Sequence, residues 1–292
     1  MANDRSWVRA ILLIGVVAVA CRCAIPSKPS PARVEGRSRT GLHYIVEGSG
    51  PPVVLIHAFQ MDEREWDEIA PLLAKSWRVI RYDVRGHGRS PMAPQPIGAH
   101  DDLRDLLDEL NVPRASVVGL SMGGGIALDA ALAYPERFDR VVMVSATVSG
   151  VTTVVPFEWM TPIIAAVRAG AKDSAAALWW ASSMMAGTRA RGAAGERYHQ
   201  VVLENARIWG ENPANRLPLD PPAGKRLESL ALPLLVIVGE NDAAGIRQLA
   251  DTLTRRVHNA RALTIAGSGH MISTEHPVEL ANAIEAFLGA KR

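Results

Sequence analysis

Cysteine is nearly missing from this chain. The two present, Cys21 and Cys23, lie close to the start, and none follows from Ala24 onward. That excludes a disulfide-stapled core and a cysteine-rich metal site, and it lets the body fold in either redox compartment. A charge imbalance is also missing: 32 basic and 30 acidic side chains leave a net +2, so composition gives no reason to expect a nucleic-acid partner. No H-E-x-x-H or comparable histidine–carboxylate spacing occurs, and neither a metal nor a cofactor is expected. No internal repeat occurs. What is there, 48% hydrophobic and 21% charged residues over 292 positions, describes one large globular domain, or a domain with an insertion.

The most apolar stretch is Ala10–Ala20 (AILLIGVVAVA), shorter than the roughly 20 residues that span a bilayer. A basic start, this run and the small-x-small end Ala18-Val19-Ala20 read as a signal peptide. Cys21, directly after it, is similar to the lipid-attachment cysteine of bacterial lipoproteins, although Ala18 stands where that motif usually has Leu. The segment therefore admits four readings: a cleaved signal, a lipid on Cys21, an uncleaved anchor giving membrane association through residues 10–21, or a cytoplasmic protein with an unusual start. The first three make the chain exported or membrane-associated. Arg22, Lys28, Arg33, Arg37 and Arg39 against Glu35 give +4 after the run, which positive-inside logic would hold in the cytoplasm if the run stayed as an anchor. Residues 1–23 are thus expected as signal or anchor, and residues 24–39, rich in Pro, Ser and Arg, as a linker outside the fold.

From residue 40 the pattern is regular. Gly41–Glu47 reads as an edge strand, and Val53–His57, Trp77–Tyr82, Ala115–Leu120 and Val141–Ser145 as further strands, several of them apolar without alternation. Helices are expected over Trp66–Ala74, over Ala99–Leu110, where Leu103, Leu106, Leu107 and Leu110 share a face, and from just after Ser121 to Tyr134. The alternation stops between residues 147 and 229, a stretch of Ala, Trp, Met and Arg with helical segments near 157–169, 172–186 and 196–209. It resumes with strands Leu234–Val238 and Arg261–Ile265 and helices Ile246–Val257 and Pro277–Leu288. This predicts an α/β fold, a mostly parallel central sheet with helices on both faces. The core would comprise residues 40–146 and 230–292, and a helical cap residues 147–229.

Gly119-Leu120-Ser121-Met122-Gly123 fits G-x-S-x-G between a buried strand and a helix, the context in which a strained turn exposes a nucleophilic serine. A serine needs a base. His270, after the last strand, is best placed, with His276 in reserve. An acid that orients the base belongs after the preceding strand, where Asp242 is the choice and Glu240 the rival. The backbone N–H groups of Met122, after the serine, and of Phe59, after the 53–57 strand, would hold an oxyanion. His57 and Gln60 begin the same loop, His57 as a hydrogen-bonded structural residue. Asp83–Ser90 (DVRGHGRS) lacks phosphate-loop spacing and reads as a structural loop with an Asp83–Arg85 or Asp83–Ser90 hydrogen bond. In the cap, Trp159, Trp179, Trp180 and Trp209 with Met160, Met184 and Met185 either line an apolar pocket or pack the cap on the core. Arg189, Arg191 and Arg197 either meet an acidic substrate or form an ordinary solvated surface.

On these motifs residues 40–290 resemble the α/β-hydrolase family, in particular its small bacterial esterases, enol-lactonases, C–C-bond hydrolases and cofactor-free haloperoxidases. The resemblance implies Ser121 as nucleophile, Asp242 as acid, His270 as base, no cofactor, and a small ester or lactone as substrate. Thioester, amide or C–C hydrolysis, hydroxynitrile lysis and a non-catalytic binding role stay open beside it. A serine at the elbow argues against the relatives that use an aspartate, epoxide hydrolases and haloalkane dehalogenases. Two departures stand out: His57-Ala58 where the family usually has His-Gly, and Ala243-Ala244-Gly245 where a proline commonly follows the acid.

Overall fold

The computed structural model describes residues 33–151 and 159–289. The expected signal or anchor segment and both cysteines lie outside them. Among the described residues no helix is long and apolar enough to cross a membrane.

In chain order the first half consists of β1 (Val34–Arg37), β2 (His43–Glu47), β3 (Pro52–Ile56), α1 (Ala70–Leu73), β4 (Arg78–Tyr82), the two-residue β5 (Ile97–Gly98), α2 (Ala99–Glu109), β6 (Ala115–Leu120), α3 (Met122–Ala133) and β7 (Phe138–Val144). The cap follows with α4 (Met160–Arg168), α5 (Lys172–Ala181), α6 (Ala186–Ala190), α7 (Ala193–Glu204) and the two-residue β8 (Arg216–Leu217). The chain then returns to the core with β9 (Leu234–Gly239), α8 (Ala244–Arg256), β10 (Ala260–Ile265), α9 (Ile272–Glu275) and α10 (Pro277–Gly289).

Eight strands form one sheet in the order β1-β2-β4-β3-β6-β7-β9-β10, with β2 antiparallel to both neighbours and all other pairs parallel. Alternate side chains feed two cores, as the pleat requires. Val54, Ile56, Val117, Met143 and Val236 face one side with Leu103, Leu106 and Leu107 of α2, most of α3, and Ile246, Leu249 and Leu253 of α8. Val53, Leu55, Val118, Val144 and Ile237 face the other, with Trp66, Leu73 of α1, Leu280 and Ile284 of α10, and the cap residues Ile163, Trp179, Tyr198 and Val201. Burial on both faces is why these strands carry no polar alternation. Each such side chain withdrawn from water contributes roughly 1.5–3 kcal/mol.

Three expectations need correction. The linker expected over 24–39 contains β1, whose register runs from Val34↔Val46 to Arg37↔His43. Backbone pairing holds it rather than burial, since Val34 is exposed, and Arg37 Nη1 donates to the carbonyls of Gly41 and Arg89, each at 2.8 Å. The strand expected at the edge, β2, is covered as a result. The helix expected over Trp66–Ala74 divides into a 3₁₀ turn, Glu63–Trp66, and the short α1, because Pro71 tolerates only a first-turn position. The pairing of β5 with β8 has no hydrophobic pattern to announce it.

The cap closes over the C-terminal edge of the sheet through polar clasps. Arg191 pairs with both oxygens of Glu68 (2.7 and 3.0 Å) and donates to Thr274 O (2.6 Å). Asn205 bonds Asp62 Oδ2 (2.9 Å) and accepts from Gly88 N (2.6 Å). Arg207 serves the carbonyls of Gly86, His87, Gly88 and Ser90.

Candidate active site

The loops that leave the carboxyl ends of β3, β4, β6, β9 and β10 lie along one sheet edge, where ligands of open parallel sheets bind. Ser121 stands between β6 and α3 with φ 53 and ψ −111, a conformation that costs a non-glycine residue energy and that the surrounding structure must impose. Two glycines impose it. A Cβ on Gly119 would fall 2.1 Å from Gly123 O, and one on Gly123 would fall 2.2 Å from Ile56 O. Only their bare α-carbons let α3 start directly against the end of β3.

His270 and Asp242 meet from neighbouring loops. His270 Nδ1 lies 3.0 Å from Asp242 Oδ1 and 3.2 Å from Oδ2, and both side chains are almost fully buried. Ala243 N also donates to Asp242 Oδ1 (2.7 Å), so the acid loop is held without the proline usual at that point. With Nδ1 turned to a carboxylate, the imidazole carries its proton there and offers its lone pair at Nε2. Nε2 is buried and has no partner among the described residues. The rival acid, Glu240, accepts from Gly267 N (2.8 Å) and so shapes the loop rather than the imidazole. His276 ends α9.

Glu275 and Glu65, two carboxylates that no sequence motif marks, fix these loops. Glu275 accepts from Ser268 Oγ (3.0 Å) and from the N–H groups of Gly269 and Met271, gripping the chain on both sides of His270. Glu65 joins the β3 loop to α9, accepting from Ala58 N (2.7 Å) and Ser273 Oγ (2.9 Å). Complete burial raises its carboxyl to about 8. Chain distance hides Glu65 from a sequence reading, since it and Ser273 are 208 positions apart.

On the β3 loop, His57 is structural. Its Nε2 accepts from Val84 N (2.9 Å) and its Nδ1 faces Ala58 O (2.8 Å), while burial lowers its pKa. Gln60 is buried at φ 66 and ties the loop to the cap through Val202 O (3.0 Å). The Asp83–Ser90 loop is also structural, and of the two hydrogen bonds expected there the Asp83–Ser90 one is present. Asp83 O accepts from Ser90 Oγ (2.7 Å), and its carboxylate accepts from Glu63 N and Arg89 N. Arg85 turns away to a bidentate pair with Asp102 (2.7 and 2.8 Å).

The Phe59 ring contacts Trp179 (5.8 Å between centroids) and Trp209 (4.9 Å), and Trp179 leads on to Trp159 (5.6 Å). Trp159, Met184, Asp242 and His270 line a cavity of about 280 Å³. A second cavity, about 130 Å³, reaches Met122. Trp180 belongs to neither; it stacks on His199 of α7 at 4.7 Å. The three cap arginines are occupied by protein acceptors: Arg191 and Arg197 by Glu68, Arg189 by the carbonyls of Trp180 and Ser182. Among the described residues no group of three or more His, Cys, Asp or Glu is set to hold a metal.

The profile of the Alpha/beta hydrolase family matches residues 53–283. The chain belongs to that family. A pimeloyl-[acyl-carrier protein] methyl ester esterase of Aeromonas hydrophila is 27% identical over 252 residues, 83% of this chain and 97% of that protein. An uncharacterised protein of Mycobacterium tuberculosis is 39% identical over 110 residues, 37% of this chain, which thus spans about a third (32%) of that relative's length. Among solved structures, the enol-lactonase of Burkholderia xenovorans superposes with a TM-score of 0.74 at 24% identity, over 88% of this chain and all (100%) of that one.

Proposed function

We propose that the protein is a serine hydrolase of small carboxylic esters or lactones. The observation that carries this reading is the buried His270–Asp242 pair, with Nε2 left open, on the same sheet edge as a serine held at φ 53. The names of the Aeromonas esterase and the Burkholderia enol-lactonase support the substrate class.

In this reading His270 Nε2 takes the proton of Ser121 Oγ as Oγ bonds to the acyl carbon. Asp242 holds the imidazole in its tautomer and favours the imidazolium. The N–H groups of Phe59 and Met122 receive the oxyanion. The C–O bond to the alcohol then breaks, and the alcohol leaves with the proton from His270. Water repeats the sequence on the acyl-enzyme, returning the proton to Ser121 and releasing the acid. Every proton and electron pair is accounted for by chain and substrate. Trp179 and Trp209 back the Phe59 ring, and the 280 Å³ cavity, which Trp159 and His270 line, takes the leaving group.

A panel of p-nitrophenyl esters from acetate to dodecanoate tests the reading. The expected result is turnover by the full chain that falls by roughly 10³-fold or more in Ser121→Ala, with a phosphonate labelling Ser121 in the wild type. Undiminished turnover in Ser121→Ala would sink it.

A further inference from the structure

Another cap arginine lies near the site, and its surroundings differ from those of Arg189, Arg191 and Arg197. Arg216 lies on β8, whose parallel pairing with β5 fixes its backbone, and the adjacent Asn215 Nδ2 donates to Ala93 O (3.0 Å). Its guanidinium sits over the Phe59 ring, 5.7 Å from the centroid, and its Nη1 lies 3.8 Å from Met122 Sδ. It thus touches the side chains of both residues assigned to the oxyanion. Its carboxylate partner, the nearly buried Glu211, binds through Nε. Among the described residues Nη1 has only a thioether, a weak acceptor, as partner. The side chain is 42% exposed, accessible to a ligand without being freely solvated.

Arg216 also borders the 130 Å³ cavity, whose other walls include Met122, Val84, Ile97, Ile126 and Leu217. Arg85 and Asp102 are there too but cancel one another as a bidentate pair. Glu211 lines the cavity as well, so its wall is apolar apart from two ion pairs, and of these Arg216–Glu211 leaves Nη1 facing a thioether. The leaving oxygen must lie beside His270 to collect its proton, so the alcohol belongs in the cavity that carries His270. The acyl chain then belongs in the slot beside Met122. The charge of Arg216 is felt further in: it helps depress the protonation of buried His57 and His87.

We propose that Arg216 is a specificity-determining residue that receives a carboxylate at the far end of the acyl chain, so that the preferred substrates are monoesters of dicarboxylic acids, or lactones bearing a free carboxylate. A carboxylate oxygen would replace the thioether as partner of Nη1, a charge-assisted hydrogen bond in place of a weak contact. This rests on the serine-hydrolase reading for the orientation of the acyl chain, but not for the recognition itself.

The test compares monoethyl adipate with ethyl hexanoate, which differ only in a terminal carboxylate for a methyl group, by ethanol release from the full chain. The ratio of kcat/KM for acidic over neutral ester is expected to fall at least tenfold in Arg216→Gln, mainly through KM, and to recover in part in Arg216→Lys. A smaller fall overturns the proposal. Should Arg216→Gln fail to fold, the wild type alone decides. Raising the salt from 20 to 500 mM is expected to raise KM for monoethyl adipate and leave that for ethyl hexanoate in place, since screening acts on the charged pair alone. Equal movement of both overturns it. Calorimetric binding of monoethyl adipate to Ser121→Ala, with and without Arg216→Gln, reads recognition without turnover. A failure of the serine chemistry is therefore distinguishable from a failure at Arg216.

Discussion

Glu65 shows how a single buried side chain links the loops of the site to pH. Its carboxyl is raised to about 8 from an ordinary 4.5 because no cation accompanies it into the core. The folded chain then keeps a proton that the unfolded chain has lost. Its contribution to stability is complete below pH 4.5 and declines as the pH rises toward 8. Glu65→Gln keeps the neutral form throughout. The urea midpoint, measured in half-unit steps, is expected to fall less steeply between pH 5 and 8 in the variant than in the wild type. Parallel curves would mean that Glu65 is ionised in the folded chain. Glu63, also raised by burial to about 7, is common to both proteins and cancels in the comparison. The pairing of Asp242 with His270 and the strained turn at Ser121 were legible in the sequence because each residue follows a strand and carries a recognisable local pattern. Glu65, Glu275 and Arg216 were not, because their partners lie far away in the chain or belong to a loop whose path no periodicity sets.

Among the elements, the inner strands β3, β6, β7 and β9 were legible because burial on both faces leaves an uninterrupted apolar signature, and β6 matches its expected bounds, Ala115–Leu120. β1 was not, since VEGR has no apolar pattern and is held by backbone pairing and by Arg37. The start of α3 provides a test of how tightly the elements meet. Gly123→Ala would put a methyl 2.2 Å from Ile56 O, a backbone atom that cannot rotate away. Relief requires α3 to move from β3, and the expected cost is about 3 kcal/mol or more, at the upper end for overpacking. A urea midpoint within error of the wild type would show that the two elements have room between them.

Cap and core are joined by polar clasps in addition to the apolar contacts of Ile163, Trp179, Tyr198 and Val201. Arg191 is one of these clasps, with Glu68 and Thr274 as partners. Arg191→Met keeps much of the side-chain volume and removes the charge. It is expected to lower Tm by a few degrees, at about 2–4 °C per kcal/mol for a chain this size, and to expose the cap to limited proteolysis before the core. Cleavage beginning in the core would show that the cap is held by its apolar contacts alone. The cap as an insertion was legible from where the strand pattern stops and resumes. Its grip on the core was not, because charged residues on a helix read the same whether they face water or a partner.

None of the eight strands of the main sheet comes from residues 147–229, yet that stretch supplies Trp159 and Met184 to one cavity and Arg216 and Leu217 to the other. Part of the lining of both cavities is thus written outside the sheet. Exchange or randomisation of the cap's inward-facing positions can explore new chemistries while the sheet, the elbow and the His270–Asp242 pair are left untouched. The scaffold is suited to diversification by descent or by design.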